Sequence, residues 1–139
     1  MPNNPLSSLL DYSEYLARLV QRPSIDHSTV SVRPNSRQTG IAEGEVWFKN
    51  DLRLRMRELI DFRSATISSY GYEVYSREEK LYWYDSLPHP SLASLQETFP
   101  HHKHVQPNIG KNRVPAFGLR FDVPNLDFVV AEIEKWPRQ

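Results

Sequence analysis

The sequence predicts an α+β fold, and three patterns carry that prediction. Amphipathic segments bounded by proline occupy the two ends of the chain, residues 5–21 and 124–136. Between residues 28 and 85, runs that alternate apolar with polar residues, or are rich in β-branched and aromatic ones, are separated by turn residues. The links between these runs are short, which suits antiparallel neighbours rather than crossovers. The expected architecture is an N-terminal helix, an antiparallel β-meander of about five strands, a long histidine-rich loop and a C-terminal helix, in one domain spanning residues 1–139.

In the first segment Asn4 can cap the helix and Pro5 suits the first helical position, where a missing N–H costs nothing. Leu9, Tyr12, Leu16, Leu19 and Val20 recur at helical spacing, and Pro23 ends the run. Residues 28–34 and 41–49 alternate as strands, and Asn50-Asp51 marks a tight hairpin before residues 52–62. Residues 65–76 and 81–85 are the remaining strands, with a turn at residues 77–80. Residues 86–115 hold five prolines and no sustained period, so they read as a loop, and loops of this length in small domains are usually functional or disordered. In the closing helix Leu126, Val129, Val130, Ile133 and Trp136 make the apolar stripe, and Pro137 stops it.

The composition removes several classes of function. Formal net charge is zero, so no global field draws the chain onto nucleic acid or an anionic membrane. No cysteine is present, which excludes disulfides, a thiol nucleophile and thiolate metal sites. The N-terminus has no basic region, its apolar residues are interrupted by Asp11 and Glu14, and no apolar run approaches the ~20 residues of a membrane span. The expected location is the cytoplasm. Phosphate-binding glycine loops, the serine-hydrolase elbow and the calcium-binding loop are missing as motifs.

Four features remain. Alternation along residues 52–62 puts Leu52, Leu54, Met56, Glu58, Ile60 and Phe62 on one face, so Glu58 is a carboxylate among apolar neighbours. Burial would raise its pKa and make it a candidate general base or acid; a salt bridge at the sheet rim is the alternative. Arg53, Arg55 and Arg57 lie on the other face, spaced to follow phosphates or to pair with Glu43, Glu45 and Glu73. Tyr70, Tyr72, Tyr75, Tyr82, Trp83 and Tyr84 form either a platform for stacking bases or a core with hydroxyls at its edge. Finally, His101, His102 and His104 flank Lys103, with His89 upstream. Proton transfer and phosphate holding fit this group better than a metal, because adjacent residues of an extended chain point in opposite directions and Lys103 brings positive charge.

The order of these segments resembles that of the TumE-like toxins of prokaryotic toxin–antitoxin modules. The segments "SLLDYSEYLARLV", "RELIDF", "SYGYEVY", "LYWYDSLPHP" and "FPHHKHV" carry the resemblance, the last being the sharpest. It covers roughly residues 8–135, and the matching positions are Glu58, Tyr70, Tyr72, Tyr84, Asp85, Pro88, His89, His101, His102, Lys103 and His104. Many relatives carry a polar or aromatic residue where Gly71 stands and a second histidine where Pro90 follows His89. If those groups take part in catalysis, this chain is a weakened member.

What the resemblance implies is a toxin with an antitoxin protein as partner and, by analogy with other toxins, RNA as substrate. The expected mechanism is a metal-independent endoribonuclease without a cofactor. Glu58 or one of His89, His101, His102 and His104 takes the 2′-hydroxyl proton, and a second histidine protonates the leaving oxygen. Lys103, Arg55 and Arg57 hold phosphate, although the two arginines lie opposite Glu58; Tyr70 and Tyr72 position a base or sugar, and Tyr84 and Asp85 belong to the same substrate-binding set. A non-catalytic protein- or nucleic-acid-binding module and a zinc-dependent hydrolase are the alternatives. Membrane association is not expected, and self-association is left open.

Overall fold

The structure, a computed structural model, describes residues 4–86, 100–109 and 112–137. Its N-terminal helical segment is divided. Asn4 caps a single 3-10 turn, Pro5–Ser7, through its Oδ1, which accepts from the N–H of Leu6. Ser8 is extended and caps the helix proper, α1 (Leu9–Leu19), its Oγ accepting from the N–H of Asp11 at 3.0 Å. Pro5 therefore starts a turn and not the helix. Tyr12, Tyr15, Leu16 and Leu19 are the buried face of α1.

Among the described residues eight strands follow instead of five: β1 (Ile25–Ser28), β2 (Ser31–Pro34), β3 (Thr39–Phe48), β4 (Leu52–Asp61), β5 (Thr66–Ser76), β6 (Glu79–Asp85), β7 (His102–Val105) and β8 (Arg113–Pro115). A second helix, α2 (Leu126–Glu134), closes the described chain and buries Leu126, Val129, Val130 and Ile133. The meander itself is as expected, since β3 to β8 pair consecutively and antiparallel, with β1 and β2 both on β3.

Two causes account for the extra strands. The expected strand at 28–34 breaks because the chain passes directly over Gly44, where a Cβ would lie 2.6 Å from Val30 Cα; Gly44 also has φ 146°, which a side chain would strain. Within the expected loop, β7 and β8 extend the sheet. The inward positions of β7 are His102 and His104, so its alternation is invisible to any reading based on apolar residues.

Register divides the sheet into two faces. One carries Leu54, Met56, Glu58, Tyr70, Tyr72, Tyr82 and Tyr84 and packs against the helices, as shown by Tyr12 on Glu58 and Trp136 on Tyr82. The opposite face carries two rows that cross four strands. Arg57 pairs with Gly71, Gly71 with Asp85, and Asp85 with His102; Arg55 pairs with Glu73, Glu73 with Trp83, and Trp83 with His104.

Candidate functional site

Each face holds one buried cluster built around a carboxylate. On the helix face Glu58 is 1 % exposed. Tyr12 donates its hydroxyl to Oε1 at 2.5 Å, and Tyr72 donates to Oε2. Asn125 donates to the Tyr72 hydroxyl at 3.3 Å and to the carbonyl of Arg120 at 2.8 Å. Burial raises the Glu58 carboxyl from 4.5 to about 7, against the two phenol hydrogen bonds, which favour the charged form. Burial and the neighbouring carboxylate push both phenols up. Acceptors here are met by donors.

On the opposite face Asp85 Oδ1 lies 2.8 Å from His102 Nε2, and Oδ2 lies 3.1 Å from His104 Nε2. The two Nε2 atoms are 3.1 Å apart. Each imidazole turns its other nitrogen to a backbone carbonyl, His102 Nδ1 to Pro100 and His104 Nδ1 to Ile109, both at 3.1 Å. Trp83 donates its Nε1–H to Asp85 Oδ2 at 2.9 Å and stacks on the His104 ring at 3.8 Å between centroids. Burial holds His104 below the ordinary imidazole range, outweighing the pull of Asp85. Both imidazoles are buried, whereas the Asp85 side chain keeps 22 % exposure. Asp85 also lines a cavity of about 570 Å³ with Tyr70, Ser86, Pro100 and Phe121.

The structure therefore brings together some of the expected site residues and separates others. Asp85, His102 and His104 converge. Glu58 lies across the sheet from them. Lys103 faces the helices as well, 3.6 Å from Glu132 Oε2 and over the ring of Tyr82, so the sheet separates it from the imidazoles it adjoins in sequence. Tyr70, Tyr72 and Tyr84 are buried core residues and offer no open stacking platform; Tyr84 donates to Glu132. His101 leaves the cluster, with Nδ1 2.5 Å from the Tyr70 hydroxyl and its ring against Phe121. His89 lies outside the described residues, as does Pro88.

Arg55 and Arg57, by contrast, share the face of the Asp85 cluster. They border a second cavity of about 760 Å³ with Glu43, Glu45, Gly71 and Glu73. Arg57 Nε is 3.3 Å from Glu43 Oε2. No partner lies within ion-pair distance of Arg55 among the described residues. Trp83 is the residue that sequence reasoning missed in this role. The signal was available, because "W-Y-D" in one strand and "H-K-H" in its neighbour each place their outer members on one face.

A small α+β domain with an acid–imidazole cluster on the meander face opposite the helices is the class that fold and site define. The chain belongs to the family described as Toxin TumE, which it matches over residues 15–137. That makes it a toxin of toxin–antitoxin type and implies an antitoxin partner. No curated protein and no solved structure matches it. Among the described residues no helix is long and apolar enough to cross a membrane.

Proposed function

We propose that this toxin is an endoribonuclease that works at the sheet face opposite the helices, with RNA approaching along the row Arg57–Gly71–Asp85–His102. The observation that carries the reading is the register: a cation-bearing strand and an acid–imidazole cluster occupy the same row, two strand spacings apart. That separation is ~10 Å between backbones, room for a phosphodiester. Gly71 keeps the floor between them open, since a Cβ built there meets nothing within 4 Å. Arg57 and Arg55 hold phosphate, and the Asp85–His102–His104 cluster faces the scissile linkage through the exposed carboxylate edge. Glu58 in this reading is a structural carboxylate that ties β4 and β5 to α1.

Induced expression of the chain alone tests the proposal, beside His102→Ala and His104→Ala at matched levels. Growth arrest by the wild type, relief by both variants and new RNA ends in the arrested cells are the expected results. Full arrest by both variants, or arrest with intact RNA, would remove this site or this substrate from consideration.

A further inference from the structure

We infer that Asp85, His102 and His104 bind one divalent first-row transition-metal ion, of which Zn²⁺ is the best fit. The argument starts from protons. A backbone carbonyl only accepts, so the ring nitrogens turned toward Pro100 and Ile109 must be the ones that carry hydrogen. In the neutral rings both Nε2 atoms then present lone pairs, and both aim at an acceptor-only carboxylate. With both rings neutral, three electron-rich ligand atoms converge within 3.1 Å of one another, an arrangement that a cation would fill.

The spacing agrees with an ion. Ligand atoms around tetrahedral zinc, with bonds near 2.0–2.1 Å, are ~3.3 Å from one another. Here the three separations are 2.8, 3.1 and 3.1 Å. The surroundings agree as well. Metal-binding imidazoles typically give their second N–H to a carbonyl or carboxylate, which fixes the tautomer and aims the ring. Both imidazoles do so, and Trp83 Nε1–H orients the carboxylate. Two histidines and one carboxylate leave at least one coordination position for water or a substrate oxygen, as hydrolytic zinc sites require. Asp85 keeps 22 % side-chain exposure and is among the residues that line the smaller cavity. The ion's bearing on RNA rests on the reading above; the binding site itself rests on the three side chains.

The test uses the full-length chain, stripped with chelator and titrated with ZnCl₂ by calorimetry and with CoCl₂ by visible absorption. One equivalent of each ion should bind, and Co²⁺ should give the bands of a low-coordinate site. Asp85→Asn and His104→Ala should weaken binding at least about a hundredfold and Trp83→Phe about tenfold, the size of effect typical of groups that orient metal ligands. Asp85→Asn is nearly isosteric and keeps the test valid if His104→Ala does not fold, which circular dichroism reports. No binding by the wild type, or unchanged affinity in Asp85→Asn, would overturn the inference and leave an imidazolium–carboxylate cluster. Growth arrest and RNA cleavage are scored separately. An ion bound by a chain that cuts no RNA refutes the ribonuclease reading alone; cleavage by a chain that binds neither ion refutes the metal site alone.

Discussion

The two faces of the sheet each gather polar side chains around a carboxylate and treat it in opposite ways. Glu58 receives hydroxyl donors from Tyr12 and Tyr72, and the phenols are anchored in α1 and β5. Asp85 receives a donor from Trp83 and faces two imidazole nitrogens whose rings turn their other nitrogen to carbonyls. The first arrangement is closed, because each oxygen has a hydrogen pointed at it. In the second, two imidazole nitrogens converge on a carboxylate that keeps 22 % exposure, and Asp85 is among the residues lining a cavity. A buried titratable residue is therefore a weak sign of function by itself. The balance of donors and acceptors around it is the better guide.

Removing Glu58 should produce the largest effect on stability. Glu58→Ala strands two buried phenols and leaves a cavity, so urea denaturation should show a loss of about 3–5 kcal/mol. A loss below about 1 kcal/mol would mean that this cluster does not hold α1 to the sheet.

Next in size is a dependence on pH. The folded-state pKa of Glu58 is raised to about 7 from 4.5, first by burial and against the hydrogen bonds of Tyr12 and Tyr72. A raised carboxyl binds its proton more tightly in the native state. Its contribution to stability is complete below pH 4.5 and fades as pH climbs through 7. Wild type should lose on the order of 3 kcal/mol relative to Glu58→Gln between pH 4.5 and pH 8, because the amide cannot ionise. Parallel stability profiles for the two proteins would show that Glu58 keeps an ordinary pKa.

At Arg57 and Gly71 on the opposite face the expected stability changes are small and the functional ones large. Arg57→Ala removes an exposed pair with Glu43 and should leave the unfolding transition nearly unmoved. It should nevertheless weaken RNA cleavage and flatten its salt dependence by about one phosphate contact. An unchanged salt slope would place the phosphate elsewhere. Gly71→Ala has the smallest expected effect on stability: a gain of about 0.5–1 kcal/mol, since the site is open and an alanine strand residue loses less entropy. Gly71→Phe should fold equally well and block cleavage, by filling the floor between Arg57 and Asp85. Full activity in that variant would move the substrate off the row.

Several elements were legible because their apolar spacing is regular. Periodicity assigns the closing helix the stripe Leu126, Val129, Val130, Ile133 and Trp136; the first four are buried in α2, whereas Trp136 lies past its end and is half-buried. The alternation of β4 correctly set Glu58 among Leu54, Met56 and Ile60 and set Arg55 and Arg57 opposite. Where the buried positions are polar, as His102 and His104 are in β7, apolar spacing carries no signal and the segment reads as loop. The expected union of Glu58 with the histidines was not resolvable in sequence. Sharing a motif set says nothing about sharing a face, and each strand's two faces are assigned relative to its neighbours only by pairing register.

Local chemistry, then, determined a good deal. The residue order of this chain set two helices, a meander, a carboxylate in an apolar row and a concentration of imidazoles, because each depends on spacing along one segment. Tertiary structure alone decided which of these meet. Pairing β6 with β7 brought Asp85 and Trp83 beside His102 and His104, and folding α1 onto β4 gave Glu58 its tyrosine. Those partners lie far apart in sequence, and hydrogen bonds between distant segments are fixed only when the sheet closes register and the helices cover one side of it.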